Sequence, residues 1–311
     1  MGIVTAGEAL IDFTREAGSG GIRYRAQPGG SPLNVAIGLA RLGVSAGFLG
    51  RLSTDPFGDQ LRDHLHRNGV DPRHVRSGDA PSTLAFVHDS ADGEPAFSFY
   101  GAGAADTLLT PEDLPDSFGN DVEAIHLGSI AMVRRPISRA LEALMDQEAP
   151  QRVISFDPNV RPSLMPERAV YCGRLDKWLA HVSLVKASRA DLAWLHPGAD
   201  PVDVARSWLE NGPNWVVVTL GGDGAVGVSP AGTVEAESPA VDVVDTVGAG
   251  DAFTAGLLTW LHDHDCLDRD PIATLADRDQ RSALAFAAQV AALTCTRRGA
   301  DPPTREELPS A

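Results

Sequence analysis

The segment at positions 245–253, Asp-Thr-Val-Gly-Ala-Gly-Asp-Ala-Phe, constrains the fold and chemistry of this chain more than any other stretch. A β-branched apolar run precedes it and an apolar helical pattern follows it, which predicts that Gly248, Ala249 and Gly250 lie at a helix N-terminus. Free backbone N–H groups and the positive end of the helix dipole bind anionic oxygens there. Asp251 is then expected to accept a proton during phosphoryl transfer. The alternative is an ordinary first-turn carboxylate that the dipole stabilises.

A second glycine-rich segment lies at positions 29–43, near the other end of the chain. It predicts a helix with Ser31 as N-cap, Pro32 at the first helical position and Gly43 closing the C-terminus. Asn34 is a polar residue in the first turn of this otherwise apolar helix. It either caps the helix locally or binds a ligand.

Together the two segments resemble the paired signatures of the ribokinase-like (PfkB) carbohydrate kinases, and the whole chain resembles their fructokinase-type members. Further segments in the order shown by bacterial fructokinases are residues 7–13, 50–58, 97–100, 156–162, 186–188, 218–221 and 295–300. The resemblance implies an α/β fold with a largely parallel, Rossmann-like sheet flanked by helices, and a small β-sheet lid over the sugar. It also implies ATP, Mg²⁺ and K⁺ as cofactors, and a homodimer formed through the lid.

The same resemblance assigns roles to individual residues. Asp251 would act as the catalytic base, and the backbone amides of Gly248, Ala249 and Gly250 would form the anion hole. The sugar would contact Asp12, Gly29, Gly30, Asn34, Phe99, Arg161 and Asp251. The nucleotide would contact Lys186, Ser188, Thr219, Gly221, Gly224, Gly248 and Gly250. A monovalent cation would lie at Asp245, Val247 and Gly299, and Asp191 would act indirectly on magnesium. Two alternatives stay open, because Arg161 could be a surface residue after a strand and Asp245 could bond only its own turn.

Composition and charge agree with a cytoplasmic enzyme. The chain has 311 residues and 43% hydrophobic content, enough for a large α/β core in one domain over residues 1–311. A net charge of −16 argues against nucleic acid or an anionic membrane as partner. Cys172, Cys266 and Cys295 have no metal-ligand spacing, and the N-terminus has neither a basic signal region nor a long apolar span.

Alternating strand-like and helix-like patterns predict βα units. Strands are expected at 3–7, 46–50, 122–127, 153–156, 182–185 and 215–220, and helices are expected to begin at 31, 55, 135, 188, 201 and 250, with a long one at 278–294. Turn-rich segments at about 13–27 and 81–101 predict the lid. Residues 222–227 match G-x-G-x-x-G but lead into a strand-like run, so we interpret them as a glycine turn. A P-loop motif is absent from the sequence.

Two positions depart from the pattern of the family. Gly101 stands where relatives tend to carry an arginine in the lid, and Ala288 stands where the last helix usually has asparagine. The first removes a positive charge that would suit an acidic sugar. The resemblance to fructokinase-type segments, with Asp12 and Asn34, makes fructose the leading substrate, and the alternatives are 2-keto-3-deoxygluconate, a riboside or another ketose. A sugar-binding regulator without catalytic activity would lack the base or the anion-hole glycines, which are present here.

Overall fold

The computed structural model describes residues 2–16, 21–89 and 95–309. Its main sheet has nine strands in the order β13-β12-β11-β10-β9-β8-β1-β4-β5. These strands are β1 (Ile3–Ala6), β4 (Ala46–Ser53), β5 (Val75–Gly78), β8 (Ala124–Gly128), β9 (Val153–Asp157), β10 (Leu184–Ser188), β11 (Trp215–Thr219), β12 (Ala225–Ser229) and β13 (Gly232–Ala236). All neighbours pair in parallel except β11 with β12 and β12 with β13.

Helices cover both faces of this sheet, as expected for parallel strands joined by crossovers. They are α1 (Ser31–Arg41), α2 (Pro56–Arg67), α3 (Ile137–Glu148), α4 (Arg168–Leu179), α5 (Arg189–Leu195), α6 (Pro201–Leu209), α7 (Ala249–Asp263), α8 (Arg269–Ala273) and α9 (Asp277–Cys295). One face packs Ile3, Leu184 and Trp215 against α1, α7 and α9. Because strand side chains alternate, the neighbours Val4 and Val185 lie in the core on the other face, with α3, α4 and α6.

The predicted strands and helices are present, with shifted ends. The predicted strands at 122 and 182 begin two residues later, and the helix predicted from 135 begins at Ile137. Ser31 is not the N-cap of α1: Gly30 occupies that position, and the Ser31 hydroxyl bonds a distant residue described below. Gly43 does close the helix, with φ of +88°.

The lid is a separate four-stranded sheet in the order β3-β2-β6-β7. Its strands are β2 (Leu10–Glu16), β3 (Arg23–Gly29), β6 (Thr83–Asp89) and β7 (Pro95–Tyr100). The described parts of the segments expected at 13–27 and 81–101 therefore form it, but the first lid strand begins at Leu10 and the second ends at Gly29. This extension places Asp12 on a lid strand and Gly29 at the end of the next one. Positions 17–20 and 90–94 of these predicted segments lie outside the described residues. The single domain over residues 1–311 stays a prediction.

No helix in the described ranges is both long and apolar enough to span a bilayer.

Candidate active site

Helix α7 begins at Ala249, so Gly248, Ala249 and Gly250 lie at a helix N-terminus as predicted. Gly248 is the N-cap with φ of +76°, in the left-handed region, and a Cβ there would lie 2.5 Å from the Ala300 Cβ. Within the described residues, the amides of Gly248 and Gly250 have no hydrogen-bond acceptor. The structure differs from the expectation at Ala249, whose amide donates to the Thr246 carbonyl at 3.2 Å. Gly248 and Gly250 are thus the predicted donors that are available to an anion.

Asp251 lies in the first turn of α7, only 9% exposed. Ser31 Oγ donates to one carboxylate oxygen at 2.7 Å, and Asn34 Nδ2 donates to the other at 2.8 Å. Burial raises the pKa of Asp251, while these two donors oppose the rise. Asn34 therefore does not cap its own helix but orients the carboxylate of another one, and Ser31 is a site residue that the sequence argument assigned to capping.

Small residues let α1 and α7 approach closely enough for these contacts. A Cβ on Gly38 would lie 2.6 Å from the Ala255 Cβ, so the helices pack at a distance that only glycine permits. The first turns of the two helices are thereby brought together, and their polar residues meet although they are more than two hundred positions apart.

Asp12 and Phe99, two lid residues predicted to contact the sugar, lie in the lid sheet. Asp12 pairs with Ala85, which pairs with Phe99, so all three residues lie on one face of the lid sheet. Burial raises the pKa of Asp12 to about 7; the Arg161 charge lowers it and the Asp251 charge raises it. Arg161 and Asp251 therefore both lie within electrostatic range of Asp12, and we expect the three side chains to face one pocket.

Gly29 and Gly30 leave the space that this pocket needs. A Cβ on Gly29 would lie 2.1 Å from the Asp12 Oδ2, and one on Gly30 would lie 2.7 Å from the Glu8 carbonyl oxygen. Gly30 also has φ of +108°, which side chains rarely tolerate. A larger residue at position 29 would displace the Asp12 carboxylate, and one at position 30 would displace the backbone at Glu8.

Lys186, which is predicted to contact the nucleotide, forms a buried ion pair with Asp157 at 2.9 Å. Burial alone would lower the pKa of Lys186, but the Asp157 charge and hydrogen bond hold it raised. The Lys186 Nζ lies 3.0 Å from the position of a Cβ on Gly250, so the ammonium group faces the start of α7. Asp157 was not assigned a role from the sequence, although its place after a buried strand and before Pro158 was a usable signal.

Asp191 and Ser188 form a capping box at the start of α5. The Asp191 carboxylate accepts hydrogen bonds from the Ser188 amide and hydroxyl at 2.8 and 2.6 Å, and from the Val160 amide at 2.7 Å. Three donors already occupy this buried carboxylate, so any influence on a metal would be indirect. No group of three or more His, Cys, Asp or Glu side chains suited to a metal occurs in the part of the chain that the structure describes.

Thr219, Gly221 and Gly224 lie at the turn that joins β11 to β12. Gly221 and Gly224 have φ of +66° and +94°, and the Leu220 amide donates to the Gly224 carbonyl at 2.8 Å. The segment at 222–227 continues into β12 and not into a helix, which confirms its interpretation as a glycine turn. The turn follows the carboxyl end of a strand, where nucleotides bind in open α/β sheets.

Asp245 links the approach to α7 with the turn near residue 299. One carboxylate oxygen accepts from the Val247 amide at 3.1 Å, and the other accepts from the Gly299 amide at 2.8 Å. The contact with Val247 is the local turn bond considered as the alternative, while the contact with Gly299 joins two distant loops. The structure thus brings together the three residues assigned to a monovalent cation.

Comparison with known proteins identifies the family. The model of the pfkB family carbohydrate kinases matches residues 2–307. The chain belongs to this family. A curated fructokinase from Rhizobium leguminosarum bv. trifolii is 37% identical over 281 residues, which cover 90% of this chain and 86% of the relative. The expected family, the ribokinase-like fold and the carbohydrate kinase activity are confirmed.

Two solved structures show how far the likeness of the fold extends. Fructokinase from Xylella fastidiosa with bound ATP has a TM-score of 0.87 at 32% identity, covering 96% of this chain and 93% of that one. Fructokinase from Vibrio cholerae O395 in fructose, ADP and calcium ion bound form has a TM-score of 0.81 at 29% identity, covering 96% and 94%. The pfkB kinase described here therefore shares its fold with enzymes solved with nucleotide and sugar.

Proposed function

We propose that the chain transfers the γ-phosphate of ATP to a hydroxyl group of fructose. The observation that carries this proposal is Asp251, a buried carboxylate held by Ser31 and Asn34 beside the two available amides of the α7 N-terminus. Asp251 removes the proton as the sugar oxygen attacks phosphorus. The new O–P bond forms, the bond to the β-phosphate oxygen breaks, and ADP leaves.

Among the residues that the structure describes, one donor reaches each Asp251 oxygen, so each oxygen retains a lone pair for the hydroxyl proton. Asp12, the backbone at Gly29 and Gly30, Phe99 and Arg161 hold the sugar, together with Asn34. The Gly248 and Gly250 amides stabilise charge on the equatorial phosphate oxygens. The lid sheet excludes water, which would otherwise compete as acceptor.

ATP lies along the carboxyl ends of β10 and β11 in this proposal, with contacts from Lys186, Ser188, Thr219, Gly221 and Gly224. The Lys186 ammonium, buried beside the start of α7, faces the phosphates. Magnesium, when bound with ATP, would supply positive charge that offsets the charge developing on the phosphates during transfer. Because Mg²⁺ usually keeps several waters and three protein donors already occupy the Asp191 carboxylate, Asp191 would influence the ion indirectly and not as a ligand.

A substrate screen tests the proposed function. We expect fructose to give the highest kcat/KM in a coupled ADP-release assay across about a dozen sugars and ribosides. A higher kcat/KM with 2-keto-3-deoxygluconate or with a riboside would overturn fructose as the preferred substrate, while the assignment as a kinase would stand. Absence of turnover with every sugar would favour the sugar-binding regulator.

Potassium is expected to activate the enzyme. Asp245, Val247 and Gly299 hold the cation in this proposal, since a carboxylate and two loops converge beside the α7 N-terminus. A monovalent cation there supplies positive charge near the anion hole. Rates should be higher in potassium than in tetramethylammonium buffer at fixed ionic strength. Equal rates in sodium, potassium and tetramethylammonium would contradict the cation site.

Activity should fall as pH drops below about 7. Burial raises the pKa of Asp12 to about 7 and also raises the pKa of Asp251, and both groups act in their ionised form. The acid limb of log(kcat/KM), which reports the free enzyme, should therefore approach a slope of about two. In Asp12→Asn the limb should approach a slope of about one, and an unchanged profile would argue against Asp12 in the pocket.

A homodimer through the lid is also proposed. The outer face of the lid carries a row of aromatic contacts, in which Phe86 packs on Phe13, Tyr24 and Tyr100 with ring centroids 4.8, 5.2 and 5.6 Å apart. Tyr24 and Tyr100 are 41% and 66% exposed, so a second copy would bury apolar surface that is open in one chain. A monomer mass in solution would contradict the homodimer.

Cytoplasmic location and the absence of nucleic acid and membrane partners stay predictions.

A further inference from the structure

A guanidinium group lies against the inner face of the lid at a position where the lid itself has no side chain. Arg134 Nη1 donates to the Gly101 carbonyl at 3.2 Å, and a Cβ on Gly101 would lie 3.0 Å from the same nitrogen. Arg134 follows the 3₁₀ turn Ser129–Met132, and its amide bonds the Ile130 carbonyl at 3.3 Å. The positive charge thus reaches the lid from the connection after β8, not from the lid sequence.

The position of Arg134 relative to Asp251 follows from the lid topology. Ile130, one turn before Arg134, packs on Leu10, Ala85 and Phe99, which share the lid face of Asp12. Gly101 ends the β7 edge of this sheet, whereas the β3 edge leads through Gly30 into α1 and its contacts with Asp251. Three strand spacings, about 14 Å, separate the two edges. A sugar bound on this face of the lid would lie between the two edges.

The guanidinium keeps most of its donors for a ligand. A guanidinium carries five N–H donors, and within the described residues that of Arg134 makes one hydrogen bond and no ion pair within 4.0 Å. Asp106, buried and bonded to the Thr83 hydroxyl at 2.6 Å, attracts the guanidinium without accepting a hydrogen bond from it. The charge is therefore held beside the pocket while its donor fork stays available.

We propose that Arg134 determines acceptor specificity by donating hydrogen bonds to the sugar hydroxyls at the end opposite the phosphorylated one. This inference rests on the proposed function, since it places a sugar between Arg134 and Asp251. A planar fork of donors suits a pair of neighbouring hydroxyl oxygens. A positive charge that position 101 lacks is thereby supplied by another element.

Steady-state kinetics of Arg134→Ala test this role. KM for fructose should rise by about tenfold or more, because donors from a charged group are lost. The kcat and the KM for ATP should stay within about twofold. Arg139→Ala, at an exposed position on α3, is the matched control and should leave all three constants unchanged. A folded Arg134→Ala protein with the wild-type KM for fructose would overturn the role.

Deoxy analogues separate direct contact from positioning of the lid. A fructose analogue that lacks the hydroxyl at the far end should lower kcat/KM in the wild type. In Arg134→Ala the same analogue should lower kcat/KM hardly at all, because the guanidinium that would bind this hydroxyl is already absent. Additive losses for every analogue would overturn direct contact. If the wild type prefers a different sugar, the same variants are assayed with that sugar and its deoxy derivatives. Failure of the fructose proposal is thereby distinguished from failure of the role of Arg134. If the wild type prefers a sugar acid and Arg134→Ala keeps that preference, the proposed role of Arg134 in acceptor specificity would also be contradicted.

Discussion

The Asp251→Asn variant is expected to lose at least about 10²-fold in kcat, or roughly 3 kcal/mol of barrier, while it still binds ATP. The amide keeps the side-chain volume and can retain a hydrogen bond to Ser31 or Asn34, but it cannot accept the hydroxyl proton. Loss of a negative charge next to the nucleotide phosphates should leave ATP affinity unchanged or slightly tighter. The measurements are kcat, ATP affinity by calorimetry and Tm on the same preparation.

Asp263→Asn, at the other end of α7, is the matched control. Its carboxylate pairs with Arg305 on the surface, so kcat should stay at the wild-type value. If Asp251 were only a first-turn carboxylate, its substitution would cost about 1 kcal/mol of stability or less and leave turnover nearly intact. A folded, ATP-binding Asp251→Asn enzyme that keeps more than about a tenth of wild-type kcat would rule out Asp251 as the base.

Gly248→Ala should be nearly as damaging, with a loss of at least about 10²-fold in kcat. Alanine is strained at φ of +76°, and its Cβ would lie 2.5 Å from the Ala300 Cβ and 2.8 Å from the Ala300 Cα. Since Ala300 presents backbone here, relief requires the start of α7 to move. That movement displaces both anion-hole amides and the attached Asp251 carboxylate. Both kcat and Tm should fall.

Two variants sharpen this prediction. Gly173→Ala on α4, where no atom lies within 4 Å of the added Cβ, should change neither kcat nor KM. Combining Gly248→Ala with Ala300→Gly removes the side-chain clash but keeps the backbone strain, so it should recover part of the lost kcat. If Gly248→Ala lowered Tm and left kcat intact, the glycine would serve folding alone and the anion hole would lie elsewhere.

Local sequence patterns were sufficient for the elements that carry the chemistry. The glycines at 248 and 250 and the apolar run after them predicted the start of α7, and Gly43 predicted the end of α1. Period-two patterns located the lid but placed its first residue too late, at Phe13, because Leu10 and Ile11 are buried and resemble core residues in sequence. Helices α4 and α8 were not predicted.

The contacts between distant segments could not be read from the sequence. Ser31 has the residue type of an N-cap, yet its hydroxyl bonds Asp251, because the close packing of α1 on α7 offers a buried carboxylate that outcompetes local capping. Asp157 meets Lys186 only once β9 and β10 pair. Arg134 reaches Gly101 across the boundary between lid and main sheet, so the departure at Gly101 looked like a loss of charge.

The most direct measurement is the fate of the γ-phosphate of labelled ATP in the presence of fructose. We predict that the label is recovered in a fructose phosphate, one for each ADP formed, and that Asp251→Asn abolishes this transfer while ATP binding persists. Label released as inorganic phosphate, or equal transfer by wild type and Asp251→Asn, would contradict phosphoryl transfer to the sugar by an Asp251 base.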